Sequence, residues 1–139
     1  MFEPQLTPKT MLRMGVFGGW YFEGNHAELP ADWIKEARLS SDGFDLSCNY
    51  FGVASGQSRQ HWQDKRWITD EDPLGWFQWY CRYVMGRRLP AVDKLQIDRW
   101  RNFGPRHIGA IKANCEPGDI WSRPRQRQAL LQWAYDPLI

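Results

Sequence analysis

The sequence has few cysteines and no long apolar run. Its cysteines, Cys48, Cys81 and Cys115, are odd in number, lie far apart and form no C-x-x-C pair. This pattern argues against a disulfide framework and a structural zinc site, and it favours a reducing, intracellular setting. No stretch approaches the roughly 18–20 apolar residues of a membrane span, and the N-terminus has no apolar stretch typical of a signal peptide. We therefore expect a cytoplasmic protein without a metal site or membrane contact, and we leave a nuclear location open.

Side chains that commonly perform catalysis are also sparse. The weak candidates for acid–base groups are Asp72, His107 and Tyr80. His107 lies eight residues before Cys115 in a predicted helix, and the resulting separation of about 12 Å is too long for a nucleophile–base hydrogen bond. The acidic run 70–72 is typical of a helix cap rather than a metal site. The segment GVFGGW lacks the spacing of a phosphate-binding loop, so no cofactor is indicated and enzymatic activity stays open.

Aromatic residues are the component present in excess. They make up 15% of the chain and include nine tryptophans, whereas the hydrophobic share of 42% and the charged share of 24% are ordinary for a globular protein. The length of 139 residues indicates a single domain, 1–139, with a core of its own. Because each buried aromatic side chain removes about 150–250 Å² from water, a few of them can hold a loop-rich fold together.

The segment 72–88, DPLGWFQWYCRYVMGRR, predicts a central helix. At 100° per residue its apolar side chains cover most of the circumference, which is typical of a helix buried by its neighbours. Asp72 is placed to cap this helix, and Pro73 fits its first position. Further helices are predicted over 91–103, over 105–115 after a break at Gly104-Pro105, and over 123–136 after a cap at Ser122.

The remaining chain predicts less regular structure. Proline and glycine interrupt residues 1–30, and a short helix is predicted in ADWIKEAR, 31–38. We therefore expect an irregular wrap with a short helix over 1–70 and a helical core over 71–139. The predicted fold class is mainly α, a compact bundle of about four or five helices with an irregular N-terminal wrap.

Charge is unevenly distributed along the chain. Residues 1–81 carry seven Lys/Arg and eleven Asp/Glu, whereas residues 82–139 carry eleven and five. The acidic and basic halves either dock on each other or leave the basic half for an anionic partner. Mutual docking is the simpler alternative because it requires no partner.

Arg123 and Arg127 stand out in the last predicted helix. On a helical projection both share the face of Leu130 and Leu131, which should point inward, whereas the opposite, outer face carries Arg125, Gln128 and Gln132. An inward arginine must be paired, because an isolated buried charge costs several kcal/mol. Three alternatives stay open: an ion pair with a carboxylate in 70–72, a clamp for a phosphate or carboxylate of a ligand, or a rotated helix whose arginines meet water.

The central helix offers a second candidate site. Trp76, Trp79 and Tyr83 recur at helical spacing, with arginines close by at positions 82, 87 and 88. Such a combination is typical of single-stranded nucleic-acid binding, in which rings stack on bases and arginines follow the phosphates. The simpler alternative is that these rings belong to the core. Arg82, Arg87 and Arg88 would then form an exposed cationic rim, joined by Arg99, Arg101, Arg106 and Lys112.

Several stretches carry a resemblance to a known family. They are NYFGVASGQS (49–58), EDPLGWFQWYCRYVMGRR (71–88), QIDRW (96–100), and NCEPGD with RPRQRQALLQWAYD (114–136). Together they resemble a family of uncharacterised proteins from plants, fungi and some microbes. The resemblance implies a self-contained domain from about residue 15 to residue 136, and it carries no activity, ligand or catalytic residue with it.

Two functional hypotheses follow from the sequence. The first is a binding module whose basic, aromatic-rich C-terminal half contacts an anionic partner, in the first place nucleic acid. The alternative is a small enzyme or ligand-binding domain with an aromatic pocket, in which Arg123 and Arg127 clamp an anionic small molecule. An interaction module whose unusual residues all serve packing is a third option. The oligomeric state is left open.

Overall fold

The structure, a computed structural model, describes residues 2–56, 62 and 67–139. The helices of these residues are α1 (Pro8–Met14), the 3-10 helix η1 (Phe17–Gly19), α2 (Ala31–Ile34), the 3-10 helix η2 (Leu46–Cys48), α3 (Trp76–Val84), α4 (Pro90–Asn114) and α5 (Pro124–Gln132). No strand occurs among them. The predicted mainly α fold is therefore confirmed. Residues 57–61 and 63–66 of the predicted wrap lie outside the described residues.

Helix α3 occupies the middle of the core, as its apolar circumference predicts. Its residues Trp76–Cys81 are all buried, and Val84 is exposed where the helix leaves the core. The helix begins at Trp76, directly after Gly75 in a left-handed conformation with φ of 111°. The predicted start at Pro73 is wrong, because the chain turns at Gly75 before it becomes helical.

Side chains other than Asp72 satisfy the first turn of α3. The hydroxyl of Tyr21 accepts a hydrogen bond from the Gln78 backbone N–H at 3.1 Å and donates one to the Leu74 carbonyl at 2.6 Å. The Gln78 amide oxygen accepts from the Leu74 N–H at 2.9 Å. These bonds occupy groups that a helix start leaves open. The predicted capping role of Asp72 is wrong, since its carboxylate binds arginines instead.

Phe2 closes the aromatic core from the N-terminal side. Its ring centroid lies 5.5 Å from that of Trp79, 5.6 Å from that of Tyr80 and 4.9 Å from that of Trp100. The last of these contacts is edge-to-face, an arrangement that aromatic pairs prefer. The N-terminal segment is therefore part of the core, which it joins through α1, a helix capped by the Thr7 hydroxyl.

Helix α4 is one continuous helix of 25 residues with Pro105 inside it. The predicted break at Gly104-Pro105 is wrong. A proline clashes with the Cβ of the residue before it when that residue is helical, but Gly104 has no Cβ. The ring of Tyr135 packs against Gly104 in the space that a side chain would take, and its hydroxyl donates a hydrogen bond to the Trp100 carbonyl. Tertiary packing thus holds the helix together across the proline.

Two buried glutamines on α5, the glutamine pair Gln128 and Gln132, attach the N-terminal wrap to the helix. Gln132 accepts a hydrogen bond from the Phe17 N–H at 3.0 Å, and Gln128 accepts one from the Phe51 N–H at 3.2 Å. Gln128 also donates to the Gly15 carbonyl at 3.1 Å. Helix α5 is therefore buried on both faces, although the helical projection placed both glutamines on the outer face.

The ends of α5 also differ from the prediction. The helix spans Pro124–Gln132 rather than 123–136, and its N-cap is Arg123 in a left-handed conformation with φ of 61°. Ser122 does not cap it, because its hydroxyl donates to the Asp119 carboxylate. None of the helices in the described chain is both long and apolar enough to cross a membrane.

Candidate ligand-binding cleft

The described residues enclose a cleft of about 790 Å³ between α3, α4 and α5. Its volume is within the range of small-molecule sites in proteins, roughly 300–1,000 Å³. Aromatic side chains dominate its lining, and the rest of the described lining contains three arginines but no aspartate or glutamate. The aromatic and histidine side chains are those of Phe17, Tyr21, Trp62, Trp67, Trp76, Phe77, Phe103, His107 and Trp133.

One stripe of α4 forms a wall of the cleft. Its members stand at positions i, i+3, i+4, i+7 and i+8, which place them on a single helical face. They are Arg99, Asn102, Phe103, Arg106 and His107. The sequence prediction counted two of these arginines only as part of a surface rim. The 3–4 spacing of cationic and aromatic residues is the signal that indicates their common face.

Four rings along the cleft form a continuous series, which we call the ring ladder. Trp76 lies 4.8 Å from Trp133, Trp133 lies 4.8 Å from Phe103, and Phe103 lies 4.5 Å from His107, measured between ring centroids. The last two pairs are stacked, with interplanar angles of 18° and 27°. The ring ladder gives the cleft an aromatic wall, against which another ring can pack edge-to-face or, at an end of the series, stack.

Arg99 lies beside the ring ladder with its charge largely removed from water. Its guanidinium carbon is 5.5 Å from the ring centroid of Trp67 and 5.8 Å from that of Trp133. Its Nη1 donates to the Trp67 carbonyl and, at 3.0 Å, to the Gln96 side-chain oxygen. Burial lowers the pKa of Arg99 to about 10. No carboxylate of the described chain contacts this guanidinium.

His107 is the one predicted acid–base candidate that lines the cleft. Its pKa is lowered from its ordinary value, mainly by burial and further by the neighbouring charge of Arg106. Its Nδ1 is buried and has no hydrogen-bond partner among the described residues. The imidazole is therefore mainly neutral near pH 7 and can accept or donate one hydrogen bond inside the cleft.

The mouth of the cleft is cationic. Arg106 on α4 and Arg125 on α5 are both exposed and lie in its lining. Because the described lining contains no acidic side chain, nothing within it neutralises these charges. A cleft of one sign with apolar walls concentrates counter-ions and raises their rate of entry. The arrangement favours anionic over cationic ligands.

The predicted arginine clamp does not form. Arg127 is fully buried, as expected, but its guanidinium donates to the backbone carbonyls of Asp119 at 2.6 Å, Ser122 at 2.5 Å, Pro137 at 2.8 Å and Ile139 at 2.9 Å. The Arg127 guanidinium neither lines the cleft nor pairs with a carboxylate of residues 70–72. The inward orientation predicted for Arg123 is wrong, because its side chain is exposed. Neither arginine lines the cleft.

Two arginines of the predicted cationic rim are paired with acidic side chains. The buried Asp72 carboxylate accepts from Arg82 at 3.0 Å and from Arg87 at 2.9 and 2.7 Å. Arg82 also donates to both oxygens of Glu28, at 2.8 and 3.3 Å. Arg88 instead packs over the ring of Tyr83, with its guanidinium carbon 3.6 Å from the ring centroid. This cluster joins the acidic and basic halves within one molecule.

The predicted aromatic and acid–base residues of α3 are mostly core residues. Trp79 is fully buried and its indole N–H donates to Asp93 at 2.8 Å. The buried Tyr80 hydroxyl donates to the Leu6 carbonyl at 2.5 Å, and burial raises the pKa of Tyr80 well above its usual value. Asp72 and Tyr83 also lie outside the cleft lining. Of these residues only Trp76 reaches the cleft, as the first ring of the ring ladder.

No cluster of three or more His, Cys, Asp or Glu side chains that could hold a metal ion occurs among the described residues. Comparisons of the chain with protein-family models, with curated proteins and with solved structures found no match. The family resemblance noted in the sequence therefore stays a prediction.

Proposed function

We propose that the protein is a ligand-binding domain that holds one planar, anionic small molecule in the cleft. The observation that carries this proposal is Arg99, a largely buried cation whose described hydrogen-bond partners are all neutral. A charge in such surroundings is stabilised by an opposite charge. An anion that enters the cleft supplies that charge at the place where the ring ladder supplies a stacking surface.

The contribution of each part of the ligand can be estimated. A ring stacked on the ring ladder contributes about 0.5–1.5 kcal/mol per aromatic pair beyond its buried area. A charge-assisted hydrogen bond to Arg99 contributes about 1.5–3 kcal/mol. Together with buried apolar area these terms suit a ligand of micromolar affinity, for which the total is about −8 kcal/mol.

The expectation of nucleic-acid binding stays a prediction with less support. Arg82 and Arg87 are paired with Asp72, and Arg101 lies 3.4 Å from Asp98, so their charges are partly compensated within the protein. The buried Trp79 cannot stack on a base. The rings that remain accessible line a cleft rather than an open surface, which favours a small molecule over a strand.

The test compares Arg99→Met with Arg101→Met in titration calorimetry. Three probes are titrated into the full chain: naphthalene-2-carboxylate, adenosine 5′-monophosphate and a single-stranded oligonucleotide. We expect at least one of the two small anions to bind the wild type, and Arg99→Met to weaken its binding by about tenfold or more, equivalent to about 1.4 kcal/mol. Arg101→Met is the matched control, because it removes an exposed arginine of the same helix.

The outcomes separate the hypotheses. Arg99→Met should unfold within about 1 kcal/mol of the wild type, because an unpaired buried charge adds little stability. Equal binding by both variants, or no binding of either small anion, would refute the proposal. Oligonucleotide binding that falls steeply with salt and is indifferent to Arg99→Met would instead support the nucleic-acid prediction.

A further inference from the structure

The hydrogen bonds of the Arg99 guanidinium indicate which class of anion the cleft accepts. Its Nη1 is occupied by the Trp67 carbonyl and the Gln96 side chain. The other edge of the guanidinium, formed by Nε and Nη2, donates to no described residue, and neither nitrogen is sealed from solvent. Two parallel N–H groups on one edge match the two oxygens of a carboxylate.

Arg82 in the same molecule shows this mode of binding with its carboxylate in place. Its Nε and Nη2 hold the two oxygens of Glu28 at 2.8 and 3.3 Å. Its Nη1 donates to the Glu71 backbone carbonyl at 2.6 Å, as the Nη1 of Arg99 donates to that of Trp67. The Nη1 of Arg82 also donates to Asp72 at 3.0 Å, where that of Arg99 donates to the neutral Gln96 side chain. Arg99 therefore has a backbone anchor like that of Arg82 and lacks both carboxylates.

We propose that the ligand is an aromatic carboxylic acid, whose carboxylate pairs with the Nε–Nη2 edge of Arg99 while its ring lies against the ring ladder. This inference rests on the proposed function and adds the chemical class of the ligand. Charge supports a carboxylate over a phosphate ester. The half-buried guanidinium of Arg99 neutralises one negative charge, whereas a phosphate monoester brings close to two at neutral pH, and the second would have to be met by Arg106 or Arg125 nearer the mouth.

The second cation on the same wall lies nearer the mouth of the cleft. Arg106 follows Arg99 by seven residues, which is about 10 Å along a helix. Phe103 follows by four residues, about 6 Å along the axis. Since the Arg99 guanidinium carbon lies 5.8 Å from the Trp133 ring centroid, a carboxylate on the ligand's ring or one carbon removed from it can reach Arg99 while that ring packs against the ring ladder. A longer tail from the ring would extend toward the cationic mouth.

The test uses ligands that share one ring and differ in the attached group. Naphthalene-2-carboxylate, 2-naphthyl phosphate and the neutral 2-naphthalenemethanol are titrated into the wild type, Arg99→Met and Arg99→Lys. We expect the carboxylate to bind the wild type at least about tenfold more tightly than either of the other two. Arg99→Met should bring the three affinities together. Arg99→Lys keeps the charge without the two-pronged edge, so it should lose most of the preference for carboxylate over phosphate.

Each outcome bears on a different claim. Tighter binding of the phosphate would overturn the carboxylate inference and leave the proposed anion site intact. Equal binding of the neutral alcohol would overturn both, because the cleft would then be a purely apolar slot. An unchanged preference in Arg99→Met would place the carboxylate elsewhere and overturn the inference. Circular dichroism spectra matching the wild type would show that the variants fold.

Discussion

The substitution of glycine by alanine should have opposite effects at two positions of α4. At Gly104 an added Cβ would lie 2.3 Å from the Cζ atom of Tyr135. At Gly109, on the same helix, nothing lies within 4 Å of an added Cβ. Both sites have ordinary helical backbone, so alanine gains the same helix propensity at each, about 0.8–1 kcal/mol relative to glycine. The difference between the variants therefore reports the contact with Tyr135 together with the contact of the new Cβ with the Pro105 ring.

The magnitude follows from the displacement that the new methyl group demands. Ordinary contact begins at 3.4 Å, so the Tyr135 ring must retreat by about 1 Å. Retreat weakens its stacking on Trp100, now at 5.0 Å with an angle of 6°, and its hydrogen bond to the Trp100 carbonyl. Overpacking costs about 1–3 kcal/mol, and the hydrogen bond and the stacking about 1 kcal/mol each. After the gain in helix propensity we expect a net loss of about 2–4 kcal/mol.

Urea denaturation of Gly104→Ala and Gly109→Ala measures both free energies of unfolding directly. Gly104→Ala should lower the midpoint of thermal unfolding by about 5–15 °C, and Gly109→Ala should leave it unchanged or raise it. In a double-mutant cycle, Tyr135→Ala should remove the part of the cost of Gly104→Ala that comes from the clashing ring, while the part due to Pro105 should remain. Unfolding free energies of Gly104→Ala and Gly109→Ala within about 0.5 kcal/mol of each other would refute the packing described here.

Two further predictions concern residues that the sequence marked as functional. Arg127→Met should lower the free energy of unfolding by about 2–4 kcal/mol, because four main-chain oxygens lose a charged donor. Arg123→Met should change it by less than about 0.5 kcal/mol. Equal free energies of unfolding for the two variants in urea denaturation would contradict this. The pKa of His107 is lower in the folded than in the unfolded chain, so its contribution to stability is full above about pH 6.5 and is lost as the pH falls toward the folded pKa. His107→Phe should therefore reduce the loss of stability between pH 7.5 and pH 5.5, and an unchanged pH slope would show that His107 is not its source.

The location of the core could be predicted from sequence, and the termini of its helices could not. The apolar circumference of α3 reports burial directly, because every side of the helix needs a partner. Its start could not be read, because Asp72 looks like a cap but binds Arg82 and Arg87, which follow by 10 and 15 residues. The local propensity of Asp72 to cap a helix is outweighed by its ion pairs with these arginines, which come together only in the folded chain.

The continuity of α4 depends on a residue far along the chain. Gly104-Pro105 is a strong local signal for a helix end. The ring that holds the helix across this point belongs to Tyr135, which follows Gly104 by more than thirty residues. Single-sequence patterns carry no information about such a contact. A glycine before the proline is still informative in retrospect, because it removes the steric conflict that usually ends the helix.

An aromatic pocket with an arginine clamp was the alternative hypothesis from the sequence, and the arginines named for it were the wrong ones. The described residues form an aromatic cleft, but Arg99 lines it and Arg123 and Arg127 do not. An inward arginine was assumed to need an acidic side chain or a ligand, whereas Arg127 donates all its hydrogen bonds to main-chain oxygens. The partner of a buried guanidinium cannot be inferred from its face, because backbone oxygens are available everywhere in the chain.

The glutamine pair of α5 makes the loop-rich half and the helical half interdependent. A fragment that contained only residues 71–139 would leave the amide groups of Gln128 and Gln132 facing the gap once filled by Phe17 and Phe51. It would also lack Tyr21, which satisfies the first turn of α3. We therefore expect that a piece of this chain without the irregular segment does not fold, because that segment supplies hydrogen-bond partners to α3 and α5.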